Sequence, residues 1–224
     1  MITSGTTNPF QVLVVDDHPV VRDGIRRTIE REKDFTVCGE ASSGAEALEI
    51  LSKGNCDAAI VDISLKGKSG LELIKEIRSR KYDCPVLVLT VHDDVSHAER
   101  ALRAGARGYI LKQTGARQIV VGLRKIISGE IFVDEIMSSK LISGLIGKPL
   151  DARIDDPISQ LTDRELEVFE AVGKGETTRA IAGLLNISIS TVETYKSNIK
   201  EKMHLKNAAE LSSFAARWLT GHHI

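Results

Sequence analysis

Short runs of apolar residues alternate with amphipathic segments through the first 130 residues of the chain. Three continuous runs rich in Val and Ile lie at 12–15 (VLVV), 58–63 (AAIVDI) and 86–89 (VLVL), and two weaker strands are predicted at 35–39 and 108–111. Helical patterns lie between the strands, at 19–32, 44–53, 69–80, 95–105 and 115–129. Because such an alternation is typical of a parallel sheet covered on both faces, residues 1–130 are predicted to form an α/β domain with a doubly wound, five-stranded parallel sheet.

The strand pattern ends after Gly129. The segment IFVDEIMSSKLISGLIG could form a short helix, and the following KPLDARIDDPIS, with two prolines and five charges, is typical of an exposed linker. Residues 131–159 are therefore predicted to join two domains.

Residues 161–219 look entirely helical. Helix starts are predicted by the capping-box spacing and by one further cap residue, at Thr162-x-x-Glu165, Ser190-x-x-Glu193, Asn207-x-x-Glu210 and Thr177. Residues 160–224 are predicted to form a small all-α domain of four short helices.

The composition excludes several classes of protein. A hydrophobic fraction of 42% and a charged fraction of 27% are typical of a soluble globular protein, and no apolar run approaches the roughly 18 residues of a membrane span. The start, MITSGTTNPF, lacks the basic flank and apolar stretch of a signal peptide. Cys38, Cys56 and Cys84 lack metal-like spacing and are predicted to be reduced residues of the core or of strand edges. A cytoplasmic location and no membrane partner are expected.

Three carboxylates follow predicted strands. Asp16 and Asp17 come directly after VLVV, and Asp62 lies near the end of AAIVDI. Ligands of open parallel sheets bind beyond the carboxyl ends of the strands, so these groups converge if the first and third strands are neighbours. A divalent cation would relieve their repulsion, and oxygen-only ligands favour Mg²⁺ or a similar hard ion over zinc.

Two further polar residues follow strands. Thr90 ends VLVLT and Lys112 follows GYIL. A hydroxyl can donate a hydrogen bond to a phosphoryl oxygen, and a lysine can neutralise its charge, while a carboxylate can attack an activated phosphoryl group to form an acyl phosphate. Each residue alone fits an ordinary solvated turn or strand end, but five of them at four strand ends predict a phosphoryl-accepting site.

The C-terminal half contains a helix-turn-helix pattern. The apolar positions are Ile181, Ala182 and Leu185 in the first helix and Val192, Tyr195, Ile199 and Met203 in the second. The second set is spaced three, four and four residues apart, which predicts one buried stripe. The turn LNIS contains Asn186, which suits a helix C-terminus.

The opposite face of the second helix carries Glu193, Thr194, Lys196, Ser197 and Lys200. Thr194 and Ser197 are candidates for base contacts, and Lys196 and Lys200 for phosphate contacts. Glu193 could accept from a cytosine amino group, but the capping box also explains it. Net charge is −1, so any affinity for nucleic acid must come from a local cluster, formed by Lys196, Lys200, Lys202 and Lys206. An all-helical protein-binding domain is the alternative.

Four segments resemble the receiver domain of two-component response regulators over about residues 10–130: VLVVDDHPVVRDGI, VDISLKGKSGLELI, VLVLTVHDD and GARGYILK. The VDDHP start is similar to the family typified by the nitrate regulator NarL and the nitrogen-fixation regulator FixJ. The resemblance implies a flavodoxin-like fold with Asp62 as phosphoacceptor. It also implies that Asp16, Asp17, Asp62 and the Ser64 carbonyl hold Mg²⁺ (or Mn²⁺). Thr90 and Lys112 would contact the phosphoryl group, and Tyr109 would be the aromatic residue that reorients on activation.

The chain departs from the receiver pattern at two positions. Many receivers carry a proline where this chain has Lys66, and alanine is common where it has Val91. A lysine in place of proline is expected to loosen the loop after Asp62. Neither change removes a chemical group, so phosphorylation is still expected, while the lifetime of the phosphorylated state stays open.

The stretch from LTDRELEV to EKMHL, within residues 160–206, resembles the LuxR-type helix-turn-helix. In that family the last helix can pair two protomers, and its apolar face here, Leu211, Phe214, Ala215 and Trp218, fits either that role or the core of the domain. Together the resemblances imply a phosphorylation-dependent transcriptional regulator. A histidine kinase, a phosphotransfer protein or a small phosphodonor would phosphorylate Asp62, and this would control homodimerisation and binding to double-stranded promoter DNA.

Three other functions are compatible with parts of the sequence. An aspartyl phosphatase would usually need D-x-D on the first strand, where this chain has Asp16-Asp17, and a cap insertion that it lacks. A pseudo-receiver would not need the full acidic set. A regulator that senses a small molecule would need a large apolar pocket, of which the sequence has no sign. No enzymatic activity is expected beyond the chain's own phosphorylation and dephosphorylation.

Overall fold

The computed structural model describes residues 8–65, 69–147 and 157–221. The chain divides into two compact units, Met1–Ile142 and Ser143–Ile224. Lys66 and the KPLDARIDD part of the predicted linker lie outside the described residues. The predicted domain boundaries therefore stay a prediction.

The first unit is built on a parallel sheet with strand order β2-β1-β3-β4-β5-β6. The strands are β1 (Phe10–Val15), β2 (Phe35–Ala41), β3 (Ala58–Val61), β4 (Val86–Thr90), β5 (Gly108–Leu111) and β6 (Phe132–Val133). The five predicted strands are confirmed, but the sheet has a sixth. A strand of two residues carries too little periodicity to be detected in a sequence, and it forms because β5 offers a free edge.

Helices cover both faces of the sheet, as the doubly wound prediction requires. They are α1 (Pro19–Ile29), α2 (Gly44–Leu51), α3 (Gly70–Ser79), α4 (Val95–Ala104) and α5 (Ala116–Ile127). The α1 and α5 helices pack with one face of the sheet in one apolar cluster, and α2, α3 and α4 pack with the other face in a second. The predicted short helix is also present, as α6 (Glu135–Gly147).

The second unit begins within the last residues of α6, and after a 3₁₀ turn at Pro157–Gln160 its described part consists of four α-helices. They are α7 (Asp163–Gly173), α8 (Thr178–Leu185), α9 (Ile189–Lys202) and α10 (Ala208–Gly221). One apolar cluster holds them together, and it includes the predicted α9 stripe. No helix in the described ranges is long and apolar enough to cross a membrane.

The predicted helix starts are confirmed except at Ser190. Thr162 and Glu165 form a complete capping box, and the Thr177 side chain caps α8. The α9 helix begins at Ile189 with Ser188 as its cap, so the Ser190-x-x-Glu193 capping box is wrong. Serines at both 188 and 190 made the sequence ambiguous, and the turn after α8 selects the earlier one.

The α10 helix begins after Asn207, whose side chain accepts from the Glu210 backbone N–H at 2.9 Å. Leu211 and Ala215 of this helix are fully buried. The rings of Phe214 and Trp218 pack on Phe169 of α7, with centroids 6.1 and 5.6 Å away. The apolar face of the last helix therefore belongs to the core of its own domain.

Candidate functional site

The carboxyl ends of β1 and β3 bring three aspartates together. Because Val15 is paired with Val61, the residues that follow the two strands, Asp16 and Asp62, lie side by side. The Asp62 backbone N–H donates to the Val15 carbonyl at 2.9 Å, which extends the ladder into the site. Ligand atoms of Asp16, Asp17, His18 and Asp62 all lie within 4.8 Å of one another. Parallel pairing thus concentrates at least three negative charges at one sheet edge.

Lys112 enters this cluster from the turn after β5. Its Nζ lies 2.7 Å from Asp16 Oδ2 and 2.7 Å from Asp62 Oδ2. Burial opposes the charge of this lysine, but the Asp62 and Asp16 carboxylates outweigh burial and raise the pKa of Lys112 above its ordinary value. The ammonium therefore stays charged and is aimed at the aspartates.

The Asp62 carboxylate is buried and only partly satisfied. Burial raises the pKa of Asp62 above its ordinary value, Lys112 opposes that rise, and Asp16 adds to it. Asp62 Oδ1 is buried and has no hydrogen-bond partner among the described residues. Asp17 Oδ1 is also buried without a hydrogen bond there, although His18 Nδ1 lies 2.8 Å away as an ion-pair partner. Buried carboxylate oxygens without a hydrogen bond, in a group whose ligand atoms lie within 4.8 Å of one another, fit a hard divalent cation.

Gly70, the first residue of α3, lies directly against the backbone of Asp62 and Ile63 in the loop after β3. A Cβ built at this position would lie 2.0 Å from the Asp62 carbonyl oxygen and 2.8 Å from the Ile63 Cα, distances that backbone atoms cannot accommodate. The Gly70 N–H also donates to the Ile63 carbonyl at 2.8 Å. Sequence reasoning missed this residue, although a glycine at a predicted helix start in GKSG was a usable signal.

A polar network surrounds the loop after β4. Thr90 is fully buried, and its Oγ1 accepts from the His92 backbone N–H at 3.3 Å. The Tyr109 hydroxyl, on a fully buried side chain, donates to the His92 carbonyl at 2.7 Å. The Ser64 hydroxyl lies 2.9 Å from His92 Nε2. His92, which the sequence analysis did not single out, thus links Thr90, Tyr109 and Ser64. The neighbouring Val91 is 69% exposed.

In the second unit, α9 presents the predicted face to solvent. Glu193, Thr194 and Ser197 are exposed, and Lys196 and Lys200 are half-exposed. Asn186 ends α8, as predicted, and adopts the left-handed conformation with φ of 51°. The α8–turn–α9 arrangement is therefore a helix-turn-helix with a polar face on its second helix.

Several side chains of this face are already engaged within the domain. Glu193 accepts from the Thr178 hydroxyl at 2.8 Å, and this bond, together with Lys196 and Lys200, lowers its pKa. Lys196 Nζ lies 2.7 Å from the same Thr178 oxygen. Glu193 thus bridges to α8 and does not form the capping box inferred from the sequence.

Lys202, a member of the predicted basic cluster, is also engaged within the domain. Its Nζ donates to Glu165 Oε2 at 2.6 Å, so this lysine is bound to α7. The lysines of the cluster are therefore not equivalent, and Lys196 and Lys200 lie on the polar face described above.

Comparison with known families agrees with both sites. Residues 12–124 match the family described as response regulator receiver domain, and residues 159–215 match the family of bacterial regulatory proteins, luxR family. The chain belongs to the response regulators. Its receiver precedes a LuxR-type DNA-binding domain, which is the NarL/FixJ-type organisation. This response regulator acts in transcription within a two-component system.

Relatives resemble it along nearly the whole chain. A Pseudomonas aeruginosa relative is 37% identical over 92% of this chain and 97% of its own length. The oxygen regulatory protein NreC of Staphylococcus carnosus is 33% identical, over 93% of this chain and 97% of NreC. The nitrate/nitrite response regulator protein NarP of Escherichia coli is 32% identical, over 89% of this chain and 91% of NarP.

Solved structures agree with the fold. The RcsB response regulator of Salmonella typhimurium is 26% identical with a TM-score of 0.59, over 94% of this response regulator and 99% of that chain. One RcsB structure contains two dimers bound to two parallel DNAs. It has the same sequence identity and TM-score, over 93% of this response regulator and 98% of that chain. The response regulator ChrA of a heme-sensing two-component system is 29% identical with a TM-score of 0.53, over 96% of this response regulator and 99% of ChrA.

Proposed function

We propose that Asp62 is the phosphoacceptor of this response regulator. The observation that carries the proposal is the charge arrangement: Lys112 spans Asp16 and Asp62, while Asp62 Oδ1 has no hydrogen-bond partner among the described residues. A carboxylate oxygen attacks the phosphorus of a phosphohistidine or a small acyl phosphate. The bond to the donor nitrogen or oxygen breaks, and an aspartyl phosphate forms. Lys112 can follow the charge from the carboxylate to the phosphoryl oxygens.

The residues present fit a divalent cation. Carboxylate oxygens of Asp16, Asp17 and Asp62, with the Ser64 carbonyl, would hold Mg²⁺ (or Mn²⁺), which neutralises charge on the phosphoryl oxygens when bound. The fit is supported by the unsatisfied oxygens of Asp17 and Asp62. The protein's own part is to bury these groups and to hold Lys112 beside Asp16 and Asp62.

The switch would act through the loop after β4. Thr90 would donate to the new phosphoryl group and give up its bond from the His92 backbone N–H. The Tyr109 hydroxyl, held by the His92 carbonyl, would respond because His92 moves with Thr90. Phosphorylation can shift the protein between states only because it contacts them differently.

The output is proposed to be promoter binding by α9, with a homodimer as the active form. Lys196 and Lys200 would contact phosphates, and Thr194 and Ser197 would contact bases, while Glu193 orients Lys196. The RcsB dimers bound to DNA support this proposal by similarity. The proposed domains are residues 1–130, 131–159 and 160–224.

The remaining partners follow from the chemistry of the receiver. The phosphodonor would be a histidine kinase or a phosphotransfer protein, and the protein would act in the cytoplasm without a membrane partner. It would catalyse no reaction beyond its own phosphorylation and dephosphorylation.

Labelling with radioactive acetyl phosphate tests the receiver proposal. With Mg²⁺ the protein is expected to take up phosphate that resists acid and is released by base, as an acyl phosphate is, and chelation with EDTA should prevent it. Continuous release of inorganic phosphate from phosphate esters would instead support an aspartyl phosphatase. No labelling by any acyl phosphate would favour a pseudo-receiver.

For DNA binding, we expect Lys196→Ala and Lys200→Ala to weaken binding to all sequences alike. Each lost phosphate contact should reduce the slope of log affinity against log salt by about 1. Fluorescence anisotropy over a salt series measures both quantities, with Lys53→Ala on the exposed loop after α2 as the control. If both α9 variants bound DNA like the wild type, α9 would be a protein-binding helix.

A further inference from the structure

Asp134 is a buried carboxylate that the proposed chemistry does not use. It is 1% exposed and lies between β6 and α6. Its Oδ1 accepts from the Met137 backbone N–H at 2.9 Å, which caps α6. Its Oδ2 accepts from the Leu111 backbone N–H at 2.8 Å and from the Thr114 hydroxyl at 3.3 Å. One carboxylate thus binds two separate segments of the chain.

The second of these segments is the turn that carries Lys112. Leu111 and Thr114 stand on either side of this lysine, so Asp134 holds both ends of the turn. The Asp134 backbone N–H also donates to the Tyr109 carbonyl at 3.2 Å. Because a buried amide that loses its acceptor is costly, the Lys112 backbone cannot shift without disturbing Asp134.

The α6 helix has a second anchor near the site. Lys140 Nζ donates to the Asp93 carbonyl at 2.8 Å and to its carboxylate at 2.9 Å. Asp93 lies three residues after Thr90, in the loop that follows β4. The beginning of α6 is therefore tied to the loops after both β4 and β5.

We propose that Asp134 is a positioning residue for Lys112, and that it links the position of this lysine to the first turn of α6. The inference rests on the proposed function, because it assumes that Lys112 acts on the phosphoryl group. When the Lys112 ammonium moves from the carboxylates to a new phosphoryl group, its turn pulls on the carboxylate that caps α6. The first turn of α6 thereby changes when Asp62 is phosphorylated.

Asp134→Asn separates positioning from helix capping. Asparagine is as good a cap as aspartate, so its oxygen can still accept from Met137. Its amide nitrogen cannot accept the Leu111 N–H, so the tie to the Lys112 turn is lost. We expect the maximal rate of phosphorylation by acetyl phosphate to fall about 10- to 100-fold, with little change in the concentration that gives half the maximal rate. Asn207→Ala, which removes the cap of α10, is the control and should leave the rate unchanged.

The double variant tests whether Asp134 acts through Lys112. If it does, Lys112→Ala with Asp134→Asn should be no slower than Lys112→Ala alone. Independent effects that multiply would contradict positioning, and so would a wild-type rate in Asp134→Asn.

Hydrogen exchange tests the link to α6. Phosphorylation should change the exchange of the Met137 and Ser138 amides in the wild type and not in Asp134→Asn. If these amides are unaffected in the wild type, the link to α6 is wrong. A wild-type protein that takes up no phosphate would instead refute the proposed function itself.

A second and independent observation concerns the cysteines. Cys38 and Cys56 are far apart in sequence, yet their Sγ atoms lie 3.0 Å apart, about 1 Å beyond disulfide bonding distance. Cys38 is the extra residue of a bulge in the edge strand β2, since Val12 is paired with Val37 and Leu13 with Gly39. Both thiols are half-buried, whereas Cys84 is buried.

The two thiols differ in acidity. Either sulfur can donate in the hydrogen bond between them, and this bond raises the pKa of Cys38 and lowers that of Cys56. Burial raises the pKa of Cys84 to about 12, which keeps that thiol unreactive.

The geometry points to Cys38 and Cys56 as a dithiol that a peroxide oxidises to an intramolecular disulfide. The Cys56 thiolate attacks hydrogen peroxide, which breaks the O–O bond and yields a sulfenic acid and hydroxide. The Cys38 sulfur then attacks the Cys56 sulfur and displaces the hydroxyl group, which leaves as water with the Cys38 proton. In total the two thiols lose two electrons and two protons, and one peroxide becomes two waters.

Mass spectrometry of the full chain tests this. After peroxide treatment, alkylation in denaturant and tryptic digestion, peptides 34–53 and 54–66 are expected to be joined, and peptide 82–100, with Cys84, to be alkylated. Dithiothreitol should separate the pair, and Cys56→Ser should prevent its formation. The proposal is wrong if all three thiols are alkylated, or if the disulfides formed join Cys84 or two chains.

Discussion

Asp62→Asn is expected to take up no phosphate from acetyl phosphate, with label reduced to background. The amide lacks the nucleophilic oxygen that forms the acyl phosphate. Asn is close to Asp in size, so the fold should survive. Base-labile label, with the modified peptide identified by mass spectrometry, is the measurement.

Asp57→Asn is the matched control for this experiment. Asp57 is exposed at the opposite end of β3, where its carboxylate accepts from the Gln11 backbone N–H at 2.7 Å. The same chemical change there should leave labelling intact. Label that persists in Asp62→Asn would refute the assignment of the phosphoacceptor.

Lys112→Ala is expected to slow phosphorylation about 100- to 1000-fold, the cost of removing one preorganised charged donor from a transition state. The ammonium is 2.7 Å from Asp62 and carries a raised pKa, so the wild type offers a full positive charge where the phosphoryl group arrives. Single-turnover labelling measures the rate, with Lys53→Ala as the control. A rate close to that of the wild type would show that Lys112 has only a structural role.

The same variant should change how stability depends on pH. Lys112 opposes the rise in the pKa of Asp62, so its removal raises that pKa further. A carboxyl group whose pKa is higher in the folded state stabilises the fold at low pH and loses this contribution as pH rises through the folded pKa. Without divalent cations, the loss of stability in Lys112→Ala should therefore grow from about pH 4 towards neutrality, to about 3 kcal/mol.

Urea unfolding at a series of pH values measures this difference. A deficit that stayed constant with pH would mean that Asp62 does not depend on Lys112 for its ionisation. Mg²⁺ should reduce the deficit if it occupies the acidic cluster, because a cation would replace the lost charge.

The sequence alone determined the fold class, the order of the first five strands and their helices, and which polar residues follow the strands. Continuous apolar strands and repeated amphipathic helices are local patterns, and the residues after such strands must meet at one sheet edge once the strand order is known. This is why the acidic residues, Thr90 and Lys112 could be named in advance.

The tertiary structure alone decided what depends on contacts distant in sequence. The sixth strand exists only because β5 offers it an edge, Gly70 matters only because Asp62 lies against it, and Ser188 and not Ser190 caps α9 because the preceding turn sets the chain there. Asp134 binds the Lys112 turn, and Cys38 meets Cys56, through packing that leaves no local trace in sequence. Periodicity reports which face of an element is buried, and it carries no information about which distant residue lies on the other side.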